Sequence, residues 1–148
     1  MYESQNFRED EINHKDHALS FQSSKPIIAL LPGSRKQEID AVLPEMLTVV
    51  EDYPNYQFVI AAMNTFSKEY YDPFIKKGNI PLVFNETYAL LANADLALVT
   101  SGTASLEAAL FKVPQIVCYK THWLTYIVAK ILVRIQHLSL VNIILGKT

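Results

Sequence analysis

The sequence predicts an α/β protein built on a doubly wound parallel sheet, and three observations carry that prediction. Five short apolar runs alternate with segments of helical period. The runs are apolar throughout, not at every second residue, as in strands covered on both faces. Each run ends in residues that break a strand or open a helix.

The elements follow in order. Residues 1–25 are polar without a hydrophobic period and read as a linker or flexible tail. Pro26–Leu31 is the first apolar run and Pro32–Gly33–Ser34 breaks it. Ile39, Val42, Leu43, Met46, Leu47 and Val50 then recur at three- and four-residue spacing, which predicts a helix. Tyr56–Ala61 is the second strand, and Ser67–Lys77 a helix interrupted at Pro73. Pro81–Phe84 is a short third strand and Glu86–Ala94 a short helix. Asp95–Thr100 is the fourth strand, Thr103–Phe111 a helix of small residues, and Pro114–Tyr119 the fifth strand. Trp123–Ile135 reads as a strongly apolar helix. Right-handed crossovers between parallel strands leave a Rossmann-like sheet over residues 26–148. Leu138–Leu145 opens a further apolar element close to the last residue, so the domain is expected to be incomplete at its C-terminus.

Composition narrows the class. A chain of 148 residues, half of them hydrophobic, can bury a single core. A formal net charge of −2 argues against a nucleic-acid partner. After Glu107 no acidic residue occurs, while Lys112, Lys120, Lys130, Arg134 and Lys147 do. That asymmetry suits a phosphorylated ligand or a membrane surface, and equally a solvated basic face. Cys118 is the single cysteine, so no intrachain disulfide or cysteine zinc cluster can form. Within Ile116–Tyr119 it is expected to be an inert core residue. The N-terminus lacks an apolar signal core, and no apolar stretch reaches 18 residues.

Ligands of open parallel sheets bind beyond the carboxyl ends of the strands, and two strand ends here suit an anion. After the first strand, Gly33 permits close backbone approach, Ser34 is placed to cap the next helix with Gln37 completing a capping box, and Arg35 offers a forked donor. A well-capped surface helix explains the same residues. After the fourth strand, Ser101, Gly102, Thr103, Ala104 and Ser105 open a helix without bulky shielding, so its N–H groups can reach a diphosphate. Glu107 lies one turn further on. Its carboxylate can accept from two adjacent hydroxyls, as on a ribose, or can simply favour the helix start. His14 and His17 lie in the tail, His122 reads as a turn residue and His137 as structural. No nucleophilic triad, metal cluster or carboxylate pair stands out, so no residue is assigned as catalytic, and no metal or cofactor is expected.

Three motifs resemble one family, the lipid-A-disaccharide synthases. Leu31–Pro32–Gly33–Ser34–Arg35 with Glu38–Ile39 and Leu43–Pro44 resembles the start of their C-terminal domain. Ser101–Glu107 with Ala109 and Pro114 resembles a second signature. Ser139–Leu140–Val141–Asn142 resembles a third, in which the family usually has proline where Val141 stands. The resemblance implies one half of a GT-B glycosyltransferase. Such an enzyme transfers 2,3-diacylglucosamine from its UDP derivative to 2,3-diacylglucosamine 1-phosphate, lipid X. It gives lipid A disaccharide 1-phosphate and UDP, with inversion and no required metal. By that likeness Arg35 and the Gly102–Ser105 loop hold the diphosphate, Glu107 the ribose, and Asn142 lies near the donor, with Gly33, Ser34 and Ser101 completing the expected substrate-binding set. The acceptor pocket and base are expected in an N-terminal half, so the chain alone is expected to be inactive. The acylated substrates imply a cytoplasmic protein, peripheral at the inner face of the bacterial inner membrane. Trp123–Ile135 is a possible contact there, or a core helix. Two other readings stay open. One is another UDP-sugar enzyme of this scaffold, including a UDP-sugar 2-epimerase; the other is a non-catalytic phosphate-binding module.

Overall fold

The computed structural model describes residues 23–75 and 80–118. They form β1 (Ile27–Leu31), α1 (Lys36–Leu47), β2 (Gln57–Ala62), α2 (Lys68–Ile75), β3 (Leu82–Phe84), α3 (Thr87–Asn93), β4 (Leu96–Thr100), α4 (Thr103–Leu110) and β5 (Gln115–Cys118). The strands make one sheet of order β3-β2-β1-β4-β5 with every neighbouring pair parallel. The expected fold class is therefore the one observed. Trp123–Ile135 and the motif at Ser139–Asn142 lie outside the described residues, as do His14, His17, His122 and His137.

The uniform apolarity of the strands has the expected cause. Alternate β1 residues enter opposite cores: Ile27, Ala29 and Leu31 pack with α3 and α4, whereas Ile28 and Leu30 pack with α1 and α2. Ala29 and Leu30 are wholly buried. Both faces are covered, so neither tolerates polar alternation.

Three strands begin one residue later than the apolar run, at a proline. Pro26, Pro81 and Pro114 have no N–H to give a ladder, but their carbonyls accept from Gln57 (2.8 Å), Ile60 (2.9 Å) and Ala97 (2.9 Å). At the same end the Asp95 carboxylate accepts from the Ile27 N–H at 2.8 Å.

Two helices differ from expectation. α1 ends at Leu47, short of Val50, where the Thr48 hydroxyl donates to the Glu45 carbonyl at 2.7 Å and turns follow. α2 runs through Pro73 without interruption, because the proline lies near the helix end and forfeits only the N–H that would face Glu69. α2 also carries Tyr71, fully buried, whose hydroxyl accepts from the Met63 N–H at 3.0 Å and fixes the β2–α2 turn. Tyr70 ties α2 to α1 by donating to Asp40 at 2.6 Å, and Lys36 donates to the same carboxylate at 2.7 Å. Cys118 is only partly buried, against the expectation of a core position, because β5 borders the sheet among the described strands. Its burial still raises the thiol pKa and keeps it protonated.

Candidate functional site

β1 and β4 are the central pair of the sheet, and the chain leaves them toward opposite faces: α1 covers one and α4 the other. That divergence opens a crevice at the carboxyl edge, the switch point where open α/β sheets bind ligands. A cleft of about 900 Å3 lies there. Gly33, Ser34, Arg35, Ser101, Gly102, Thr103, Ala104 and Glu107 all line it. Of the remaining expected site residues, Ser105 does not line it and Asn142 lies outside the described residues.

The β1–α1 turn is built around a carboxylate. Arg35, not Ser34, is the N-cap of α1, with extended backbone at φ −104° and ψ 143°. The capping acid is Glu38, not Gln37: its Oε2 accepts from the Ser34 and Arg35 N–H groups at 3.2 and 3.3 Å. The expected Ser34–Gln37 capping box does not form; its acid half alone is present, one residue later. A guanidinium has no acceptor, so Arg35 cannot supply the reciprocal bond of a capping box. Gly33 has φ +107°, and a Cβ there would stand 2.6 Å from Glu38 Oε2. The Arg35 guanidinium lies 3.5 Å from Glu38 Oε1 and its side chain is 82% exposed, so the pair is a weak tether that leaves most of the donor fork to solvent.

The β4–α4 turn has no such carboxylate. Gly102 is the N-cap of α4 with φ +144° and brings no capping side chain, and a Cβ on Gly102 would meet nothing within 4 Å. Ser105 is fully buried. Its hydroxyl donates to the Gly102 carbonyl at 2.7 Å, so it braces the turn and has no proton left for a ligand. Expected as a direct contact, Ser105 does not line the cleft. Thr100 ties the two turns together, donating to the Leu31 carbonyl at 3.5 Å.

Glu107 is partly buried where it lines the cleft, and desolvation raises its pKa. Its carboxylate has no hydrogen-bond partner among the described residues. A half-desolvated acceptor beside a helix start is suited to a ligand carrying hydroxyl donors.

Sequence reasoning missed the far side of the cleft. Asn64 and Thr65 line it from the β2–α2 turn, Asn85 and Glu86 from the β3–α3 turn, and Thr87 and Tyr88 from the start of α3. The available signal was a polar residue after each apolar run; Asn85 takes φ 57°, a conformation asparagine tolerates. Tyr88 is 52% exposed and its ring lies 5.5 Å from that of Phe111, which links α3 to α4.

Comparison with known proteins identifies the family. The family model described as lipid-A-disaccharide synthetase matches residues 1–148. A lipid-A-disaccharide synthase of Anaeromyxobacter sp. (strain K) is 39% identical over 137 residues, covering 88% of this chain and 36% of the relative. That of Syntrophus aciditrophicus is 41% identical over 128 residues, covering 82% of this chain and 33% of the relative. That of Psychromonas ingrahamii is 35% identical over 147 residues, covering 94% and 39%. The chain thus spans between a third and two-fifths of the length of these curated relatives. With the whole chain matched and relatives well above 30% identity, the protein belongs to the lipid-A-disaccharide synthetase family.

Proposed function

We propose that this chain supplies the donor-nucleotide half of a glycosyltransferase of lipid A biosynthesis. The donor is UDP-2,3-diacylglucosamine, the acceptor is lipid X, and the products are lipid A disaccharide 1-phosphate and UDP. The observation that carries the reading is Glu107, a partly desolvated carboxylate without a hydrogen-bond partner among the described residues, beside the glycine-capped start of α4 in one cleft. A site for phosphate alone gains nothing from an acid there; a nucleotide does, because ribose hydroxyls are donors.

In this reading the N–H groups opening α4 and the Arg35 guanidinium hold the diphosphate. As the sugar–phosphate bond breaks, negative charge grows on the departing UDP. Donors already aimed at that position stabilise the charge as it forms, which lowers the barrier. Ser34, Ser101 and Thr103 complete the phosphate shell, and Asn142 lies near the donor. The acylated substrates place the enzyme peripherally at the inner face of the bacterial inner membrane. No helix among the described residues is long and apolar enough to cross a membrane.

Calorimetric titration of UDP and of inorganic pyrophosphate tests the reading. UDP is expected to bind more tightly than pyrophosphate, and Glu107→Ala to weaken UDP while sparing pyrophosphate. Equal losses for both ligands would reduce Glu107 to a helix-supporting residue. Pyrophosphate bound as well as UDP would leave only a phosphate-binding module.

A further inference from the structure

The two helix starts at the cleft are not equivalent. At α1 the Glu38 carboxylate accepts from the backbone N–H groups of Ser34 and Arg35, the donors a phosphate would use. The turn is shaped to admit it: a Cβ on residue 33 would stand 2.6 Å from Glu38 Oε2, so only glycine leaves room for that oxygen. Glu38 also lines the cleft, and its side chain is 39% exposed, so a bound ligand meets its charge directly. At α4 the N-cap is a glycine, which brings no capping side chain, and the Ser105 hydroxyl is turned back onto the Gly102 carbonyl.

We propose that Glu38 is a specificity-determining residue of this site. Its carboxylate occupies the anion position at the start of α1, closes the backbone N–H groups there to phosphate, and leaves the ligand's charge to α4, the Ser34 hydroxyl and the outward guanidinium of Arg35. The inference rests on the nucleotide reading above and adds to it a division of labour. α1 contributes Arg35 as a side chain, while α4 contributes its backbone. A ligand with one diphosphate is accepted at α4, and a second anionic group next to α1 is repelled.

Glu38→Gln separates charge from capping, since the amide oxygen still accepts from Ser34 and Arg35. With the negative charge gone, inorganic pyrophosphate binds about five- to tenfold more tightly, the size expected for deleting one unit charge about 5 Å away at a part-exposed site. Glu38→Asp keeps the charge and gives no gain. A folded Glu38→Gln chain with unchanged or weakened pyrophosphate affinity, beside a wild type that binds UDP, overturns the proposal and leaves the nucleotide site standing. If neither chain binds UDP or pyrophosphate, both readings fall. An independent measurement uses the wild type alone. During pyrophosphate titration the amide resonances of Gly102, Thr103 and Ala104 are expected to shift, and those of Ser34 and Arg35 to stay. Large shifts at Ser34 and Arg35 instead mean that phosphate displaces Glu38, which ends the proposal even if Glu38→Gln fails to fold.

Discussion

The β1–α1 and β4–α4 turns are written in the same local grammar and do different things. Each follows a buried central strand, turns on a glycine of positive φ and opens a helix. At the first, the glycine makes room for Glu38 of the same chain. At the second, a Cβ would meet open space. A glycine in such a turn therefore has two distinct reasons to exist, and only the neighbouring side chains tell them apart.

The largest expected effect falls on stability. Gly33→Ala combines backbone strain with expulsion of the carboxylate that caps α1 and is expected to cost about 2–4 kcal/mol. Gly102→Ala carries strain alone, and should cost ~1–2 kcal/mol. Urea denaturation of both variants measures the difference, and equal losses would erase the contrast between the turns. Next comes Arg35→Ala. Losing a charged donor should weaken UDP and pyrophosphate alike by roughly ten- to hundredfold. Because the side chain is 82% exposed, the midpoint of unfolding should barely move. A loss of stability without a loss of affinity would make Arg35 part of the first turn's scaffold only.

Glu107→Ala should weaken UDP by about tenfold and spare pyrophosphate. The smallest effect is the pH dependence of the same residue. Burial raises the Glu107 pKa above its ordinary 4.5, so the folded state prefers the protonated acid. That contribution to stability is complete below the unfolded value and is lost as pH rises through the folded one. Glu107→Gln is therefore expected to gain stability relative to wild type at pH 7 and to lose that advantage at pH 4. Denaturation at the two pH values checks it; an advantage independent of pH would assign the effect to packing.

The fold was legible because it rests on patterns of one dimension. Apolar runs gave five strands, and the 3.6-residue period gave α1 with Ile39, Val42, Leu43 and Met46 buried. Eight of the ten expected site residues line one cleft, because strand ends in a parallel sheet share an edge. What escaped were side-chain choices. Glu38 rather than Gln37 takes the cap because the α1 boundary lies one residue later than read, and boundaries shift with local hydrogen bonding. Ser105 looked available until the buried face of α4 was known. The Asn64–Thr65 and Asn85–Tyr88 walls depend on β2 standing beside β1 and β3 beside β2, long-range pairings that no local pattern records.

The prolines that precede β1, β3 and β5 reach further than their own positions. Each ladder is free to slide until a residue without an N–H enters it, and Pro26 meets that limit in a strand paired on both sides. They act as mechanical stops on strand register. A slip of two residues would keep the inward and outward faces correct and would escape hydrophobic selection. It would lift the Gly33 turn by roughly 6.6 Å relative to its neighbours. Arg35 and Glu107 would then no longer line one cleft. The depth at which a ligand is held in this sheet is thus set at the opposite end of the strands, by residues that never approach it.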